Sequence, residues 1–144
     1  MVRIDRARIE AAKSPVIEIV QTRFDDLDTQ GHINNGAVVV LLQEARARFN
    51  RTLGLPRIAS GVRVMVAGLQ VEFARELHHP EPFEVATSIL SVGRTSFVMG
   101  QVGRQHGQAA VYAETAIVMA DANGPMPLPD DLRAAYLELC GPLA

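Results

Sequence analysis

Cysteine is nearly missing from this sequence. The single Cys140 cannot close a disulfide within the chain, so the composition suits a reducing compartment and leaves stability to packing. No apolar run approaches the roughly 20 residues needed to span a bilayer. The opening stretch, MVRIDRARIEAAKSP, is basic but lacks the apolar segment of a secretory leader. These absences lead us to expect a cytoplasmic protein with no membrane partner. An excess of charge is lacking too. Fourteen Lys+Arg stand against sixteen Asp+Glu, a net charge of −2, without the basic surplus of a general nucleic-acid binder. No G-x-G-x-x-G or Walker-type loop occurs, so nucleotide-driven redox or phosphoryl transfer has no support. A G-x-S-x-G elbow is also absent, which disfavours an α/β-hydrolase.

What is present is an ordinary globular balance, 48% hydrophobic and 21% charged, over 144 residues. No repeat, low-complexity tract or linker divides it, so a single domain over 1–144 is expected. A chain of this length buries roughly 70% of its unfolded surface, enough for a core without staples. The first fourteen residues suit a short charged helix, with Ile4, Ala7 and Ala11 at helical spacing. From Pro15 the β-branched run VIEIVQTRF reads as a strand, ended by the polar segment from Asp25 to His32. A long helix is expected from about Asn35 to about Leu53, with asparagine available as its N-cap. Val38, Leu41, Leu42, Ala45, Phe49 and Leu53 fall on one stripe, and Gly54 and Pro56 stand ready to end it. The run Val38-Val39-Val40 has poor helix propensity and suits either a buried strand or a helix enclosed on nearly every side. Segment length and the charged second half, QEARARFNR, favour the enclosed helix.

After Gly61 the pattern turns to strands: Val62 to Phe73 with a bulge or bend at Gly68, then Phe83 to Val92, Thr95 to Arg104 and Ala109 to Ala120. The short links between them suggest an antiparallel meander. A last helix starts near Pro129-Asp130-Asp131. The architecture expected is α+β, one long central helix wrapped by a curved antiparallel sheet, with a short C-terminal helix.

The segment Asp26-Leu27-Asp28-Thr29-Gln30-Gly31-His32-Ile33-Asn34-Asn35, followed by Glu44-Ala45-Arg46, resembles the 4-hydroxybenzoyl-CoA thioesterase-like branch of the hotdog-fold family. That branch carries D-x-D-x-x-G-H-x-N-N before a helix with E-A-R. Phe73 with Arg75, the turn from Val92 to Phe97, and Leu128-Pro129 add weaker likeness. The resemblance implies a hotdog fold and a dimer whose two sheets join, with acyl-CoA sites between protomers, and we expect a homodimer or homotetramer. It places the family's reactive carboxylate on Asp28, an orienting acid on Asp26, and the asparagine near the helix start on Asn35. Many relatives put a tyrosine where this chain has Val38, which bears on acyl preference more than on the chemistry.

Thioester hydrolysis needs little beyond these groups. A thiol leaving group with a pKa near ~8.5 departs without a strong acid. A carboxylate such as Asp28 can deprotonate a water or attack the carbonyl directly, and the sequence leaves both open. Free amides at the helix start, near Asn35 and Gly36, could form an oxyanion hole worth about 3–4 kcal/mol per donor. His32 suits loop support somewhat better than the role of base. Asn34 and the turn residues Arg94, Thr95 and Ser96 are expected to contact substrate, and Arg94 or Arg104 could meet the coenzyme's phosphates.

Glu44 lies four residues before Arg48 and suits an ion pair better than catalysis. His78 and His79 are adjacent on extended chain and point apart, a poor metal pair, and His106 reads as a hairpin residue. No metal site and no cofactor are called for. The rivals are an acyl-carrier-protein thioesterase, an acyl-thioester binding module without turnover, and a hydratase using Asp28 with His32.

Overall fold

A computed structural model describes residues 3–53 and 61–140. The N-terminal helix α1 spans Arg6–Ala11, with Asp5 accepting from the Arg8 amide as its cap. Strand β1 covers only Ile17–Val20, the chain beyond it passing into a 3₁₀ turn at Phe24–Asp26. The long helix α2 runs Asn35–Thr52, as its stripe predicts, with Asn34 as N-cap. Gly54 and Pro56, read as its stop, lie outside the described residues. Four long strands follow: β2 (Arg63–Phe73), β3 (Phe83–Val92), β4 (Ser96–Gln105) and β5 (Gln108–Asp121). A two-residue β6 (Gly124–Pro125) and helix α3 (Asp130–Cys140) end the described chain.

The strands form one antiparallel sheet in the order β1-β3-β4-β5-β2, with β6 added beside β5. Only β3, β4 and β5 make the expected meander. The link from β2 to β3 is no hairpin: β2 crosses to the far edge and pairs with β5, from Arg63↔Ala120 to Phe73↔Val111. That register shifts between Val66 and Gly68, where the sequence calls for a bulge.

Alternation along the strands gives the curled sheet two apolar faces. On the inner face Phe83, Val85, Val111 and Ala113 pack on Val38, Leu41, Leu42 and Ala45 of α2. Phe49 continues that contact toward Ile89, Phe97, Met119 and Tyr136, so α3 closes the lower end. Each such fully buried side chain contributes about 1.5–3 kcal/mol. A polar link joins helix to sheet at mid-length. The buried Gln101 donates to the Leu42 carbonyl at 3.1 Å and to Thr87 Oγ1 at 3.2 Å, and accepts from Arg46 Nη1 at 3.1 Å. Burial pulls the Arg46 guanidinium below its ordinary pKa. The E-A-R segment is thus architectural, since Ala45 is fully buried and Glu44 pairs with Arg48, as the i,i+4 spacing predicts.

The outer face carries Ala86, Leu90, Val102 and Tyr112, covered by Ile4 and Ile9. Glu72 fixes this cover by accepting from the Ile4 amide at 2.7 Å and from Arg6 Nε at 2.9 Å, which together hold its carboxyl below the usual range. Glu10 of α1 takes Tyr112 Oη at 2.8 Å and also pairs with Arg104. The central helix is less enclosed than the valine run suggests. Val40 is 55% exposed, because the sheet's last strand, β2, stands clear of α2 and leaves Val66 53% exposed as well.

One glycine marks how tightly the inner face is packed. A Cβ on Gly103 would sit 2.3 Å from ring atoms of Phe83 and 2.9 Å from Val111 Cγ1. Gly103→Ala should therefore cost about 1–3 kcal/mol, read as a lowered urea midpoint at unchanged slope.

Candidate active site

Between β1 and α2 the chain folds into a compact loop. Buried Asp26 starts it: its carboxylate accepts from the Arg23 amide and from Arg23 Nη2, both at 2.9 Å. That bond, then the charge itself, raises Arg23 above its ordinary pKa. The Asp26 carbonyl accepts from the Asn34 amide at 2.7 Å, so the two ends of the loop are tied directly. Leu27 and Ile33 form a single antiparallel bridge, and Gly31 makes the reversal at φ +80°. Asp26 thus anchors the start of the loop.

Asp28 sits inside this reversal. Its amide donates to the His32 carbonyl at 2.8 Å. Its Oδ1 accepts from the amides of Gln30 at 2.9 Å and His32 at 3.1 Å. Its Oδ2 has no partner among the described residues, so the side chain has one anchored oxygen and one available oxygen. Ile33 then donates its amide to the Leu77 carbonyl at 2.8 Å, which docks the loop on the segment after β2.

An open cleft of about 360 Å³ lies at this junction. Asp28, His32, Asn35 and Val38 line one wall, and residues 73–77 line the other. The structure therefore brings Asp28, His32 and Asn35 together. His32 Nε2 stands 3.1 Å from Glu76 Oε2, and its ring meets His78 edge-on at 5.5 Å. With its ring held across the cleft, His32 acts as a brace between the two walls. Val38 supplies an aliphatic floor.

At the helix start the assignment of amides shifts by one residue. Asn34 Oδ1 accepts from the Gly36 amide at 2.7 Å, so the cap occupies that donor and Gly36 does not line the cleft. The amides of Asn35 and Ala37 have no acceptor among the described residues, as expected for first-turn positions. Gly36 still matters sterically, since a Cβ there would lie 3.2 Å from the capping oxygen.

Arg94, Thr95 and Ser96 are not at this cleft. They form the β3–β4 turn, where Thr95 and Arg94 carbonyls accept from Met119 and Leu128. Ser96 lies beside Val118 and Phe73 beside Val111, so along β5 the two places are about 23 Å apart at roughly 3.3 Å per residue. Arg104 is taken up by Glu10 on the outer face. Conversely, Arg75 and Glu76 reach the cleft although the sequence reading gave neither a place there. Only the Phe73–Arg75 likeness pointed to the segment, and nothing in spacing links Glu76 to a histidine 44 positions earlier. No group of three His, Cys, Asp or Glu side chains that could hold a metal occurs among the described residues. No helix there is long and apolar enough to cross a membrane.

Residues 22–136 match the thioesterase-like superfamily. The chain belongs to that superfamily. Among solved structures it is similar to a thioesterase from Thermus thermophilus complexed with coenzyme A and Zn, at 27% identity and a TM-score of 0.78, covering 92% of this chain and 98% of that one. A protein from Aquifex aeolicus (21% identity, TM-score 0.79, 85% and 100% covered) and a gentisyl-coenzyme A thioesterase (20%, 0.77, 85% and 100%) share the fold. No curated protein matches the sequence significantly. Family and fold together support thioesterase activity for this hotdog-fold chain.

Proposed function

We propose that the protein hydrolyses acyl-CoA thioesters to a carboxylic acid and coenzyme A. One observation carries the reading: the unpartnered Oδ2 of Asp28 and the start of α2 at Asn35 share one cleft. The coenzyme A bound to the Thermus thermophilus relative supports this choice of thioester.

A thioester carbonyl lying between them would meet the Asn35 amide at its oxygen, a well-placed donor contributing about 3–4 kcal/mol. Oδ2 would then work in one of two ways. It attacks the carbonyl carbon, the C–S bond breaks, and the thiolate leaves behind an anhydride that water opens. Alternatively it takes a proton from a water whose oxygen attacks, and the departing thiolate is protonated afterwards. The leaving group's pKa near ~8.5 makes either path workable at neutral pH. Oδ1, held by two amides, fixes the aim in both.

The assembly we propose is a homodimer joined at β2. Val64, Val66, Leu69 and Phe73 are all at least 40% exposed on the inner side of an unpaired edge, a surface that a second β2 would continue and cover. Phe73 belongs to both this edge and the cleft wall, so pairing places the site beside the subunit boundary.

A thiol-release assay over short, long and aromatic acyl-CoAs tests the chemistry. Asp28→Asn keeps the Oδ1 acceptor, so the fold should persist while turnover falls about 10²- to 10⁴-fold. His32→Ala should cost less. Undiminished turnover in Asp28→Asn removes the carboxylate from the mechanism. For the assembly, sedimentation should give twice the chain mass, and Val66→Asp should return it to the monomer. A native monomer with full activity would refute the pairing.

A further inference from the structure

A second cleft, of about 450 Å³, adjoins the first and shares Arg75 and Glu76 with it. Its remaining lining includes His78, Gln105, His106 and Gln108. Positive or protonatable groups dominate there, although the chain as a whole is slightly acidic. Its one carboxylate, Glu76, is engaged with His32.

Two features show that this cleft is built rather than incidental. Gln105 is 7% exposed and clamps the loop between β2 and β3: its Oε1 accepts from the His78 amide at 2.9 Å, and its Nε2 donates to the carbonyls of His78 at 2.8 Å and Glu81 at 3.1 Å. The hairpin beyond it turns through His106 at φ +53° and Gly107 at φ +74°. Asparagine or aspartate is the usual partner of glycine in such a turn, and a histidine there holds a costlier backbone while presenting an imidazole at the rim.

Arg75 stands where the two clefts meet. Arg6, Arg23, Arg48 and Arg104 are paired with Glu72, Asp26, Glu44 and Glu10, and Arg46 is bonded to Gln101. Arg75 has no acceptor for its guanidinium among the described residues, only a backbone bond to Ala110.

We infer that Arg75, with His78 and His106 across the second cleft, receives the phosphates of the coenzyme and makes the enzyme prefer CoA thioesters to phosphate-free ones. This rests on the hydrolase reading for its substrate and adds the residues that recognise the anionic end. Guanidinium bonds to phosphate are charge-assisted and bidentate, so removing one costs more than a neutral contact would.

Calorimetric titration with free coenzyme A and with pantetheine, alongside kcat/KM for acyl-CoA and acyl-pantetheine, tests it. Native protein should bind coenzyme A and bind pantetheine far more weakly. Arg75→Gln should weaken coenzyme A binding about tenfold or more and shrink the CoA-over-pantetheine kcat/KM ratio by a similar factor, with Arg75→Lys between the two. His106→Asn, whose side chain tolerates the left-handed turn, should also weaken coenzyme A binding with the fold intact. Unchanged coenzyme A binding in Arg75→Gln, or equal losses for both ligands, overturns the inference. Coenzyme A binding that depends on Arg75 in a protein without turnover would sustain it while refuting hydrolysis. Native turnover indifferent to the phosphates would do the reverse.

Discussion

The loop between β1 and α2 must close on itself within a few residues and still deliver a carboxylate to the start of a helix. Asp28 meets both demands by dividing its two oxygens. Oδ1 binds the amides of Gln30 and His32, closing the reversal around its own side chain, while Oδ2 has no partner among the described residues. Short side-chain-to-backbone bonds of this sort are common turn chemistry. Here the same bonds fix the side chain that we propose as the reactive group. Asp26 and Asn34 support the arrangement from either end: the buried carboxylate of one holds the exposed Arg23, and the other caps α2 while its amide returns to the Asp26 carbonyl.

The larger fold supplies what a loop cannot. The inner face of the sheet grips α2 through Leu42, Ala45 and Phe49, which fixes where the helix begins. The segment after β2 then meets the loop through the Ile33–Leu77 bond and the His32–Glu76 contact, forming the opposite wall. Two elements far apart in sequence thus share a narrow space. That space opens at an apolar edge, which makes a second subunit part of the proposed design.

Much of this was legible in the residues themselves. The stripe from Val38 to Phe49 predicted α2, the acids after Pro129 predicted α3, and the His106-Gly107 turn was marked as a hairpin. The D-x-D-x-x-G-H-x-N-N pattern singles out Asp28, His32 and Asn35, which line one cleft because they lie on one continuous loop and helix start. The failures share a cause: they depend on contacts between distant segments. The crossing of β2 to β5 cannot be inferred from link length, since its strand pattern fits either neighbour. Local propensity could not reveal that Val40 and Val66 face an uncovered side, because exposure is decided by which strand ends the sheet. Gly36 was a reasonable donor until the Asn34 side chain occupied its amide, and the Arg94 turn lies a strand's length from the loop.

The most direct test of the central claim is a crystal structure of the native protein with a coenzyme A ketone analogue, in which a methylene separates sulfur from the carbonyl and blocks hydrolysis. The account predicts the carbonyl oxygen about 2.7–3.1 Å from the Asn35 amide, with the carbonyl carbon facing Asp28 Oδ2. A ligand bound elsewhere, with Oδ2 in open solvent and the helix amides unoccupied, would contradict it.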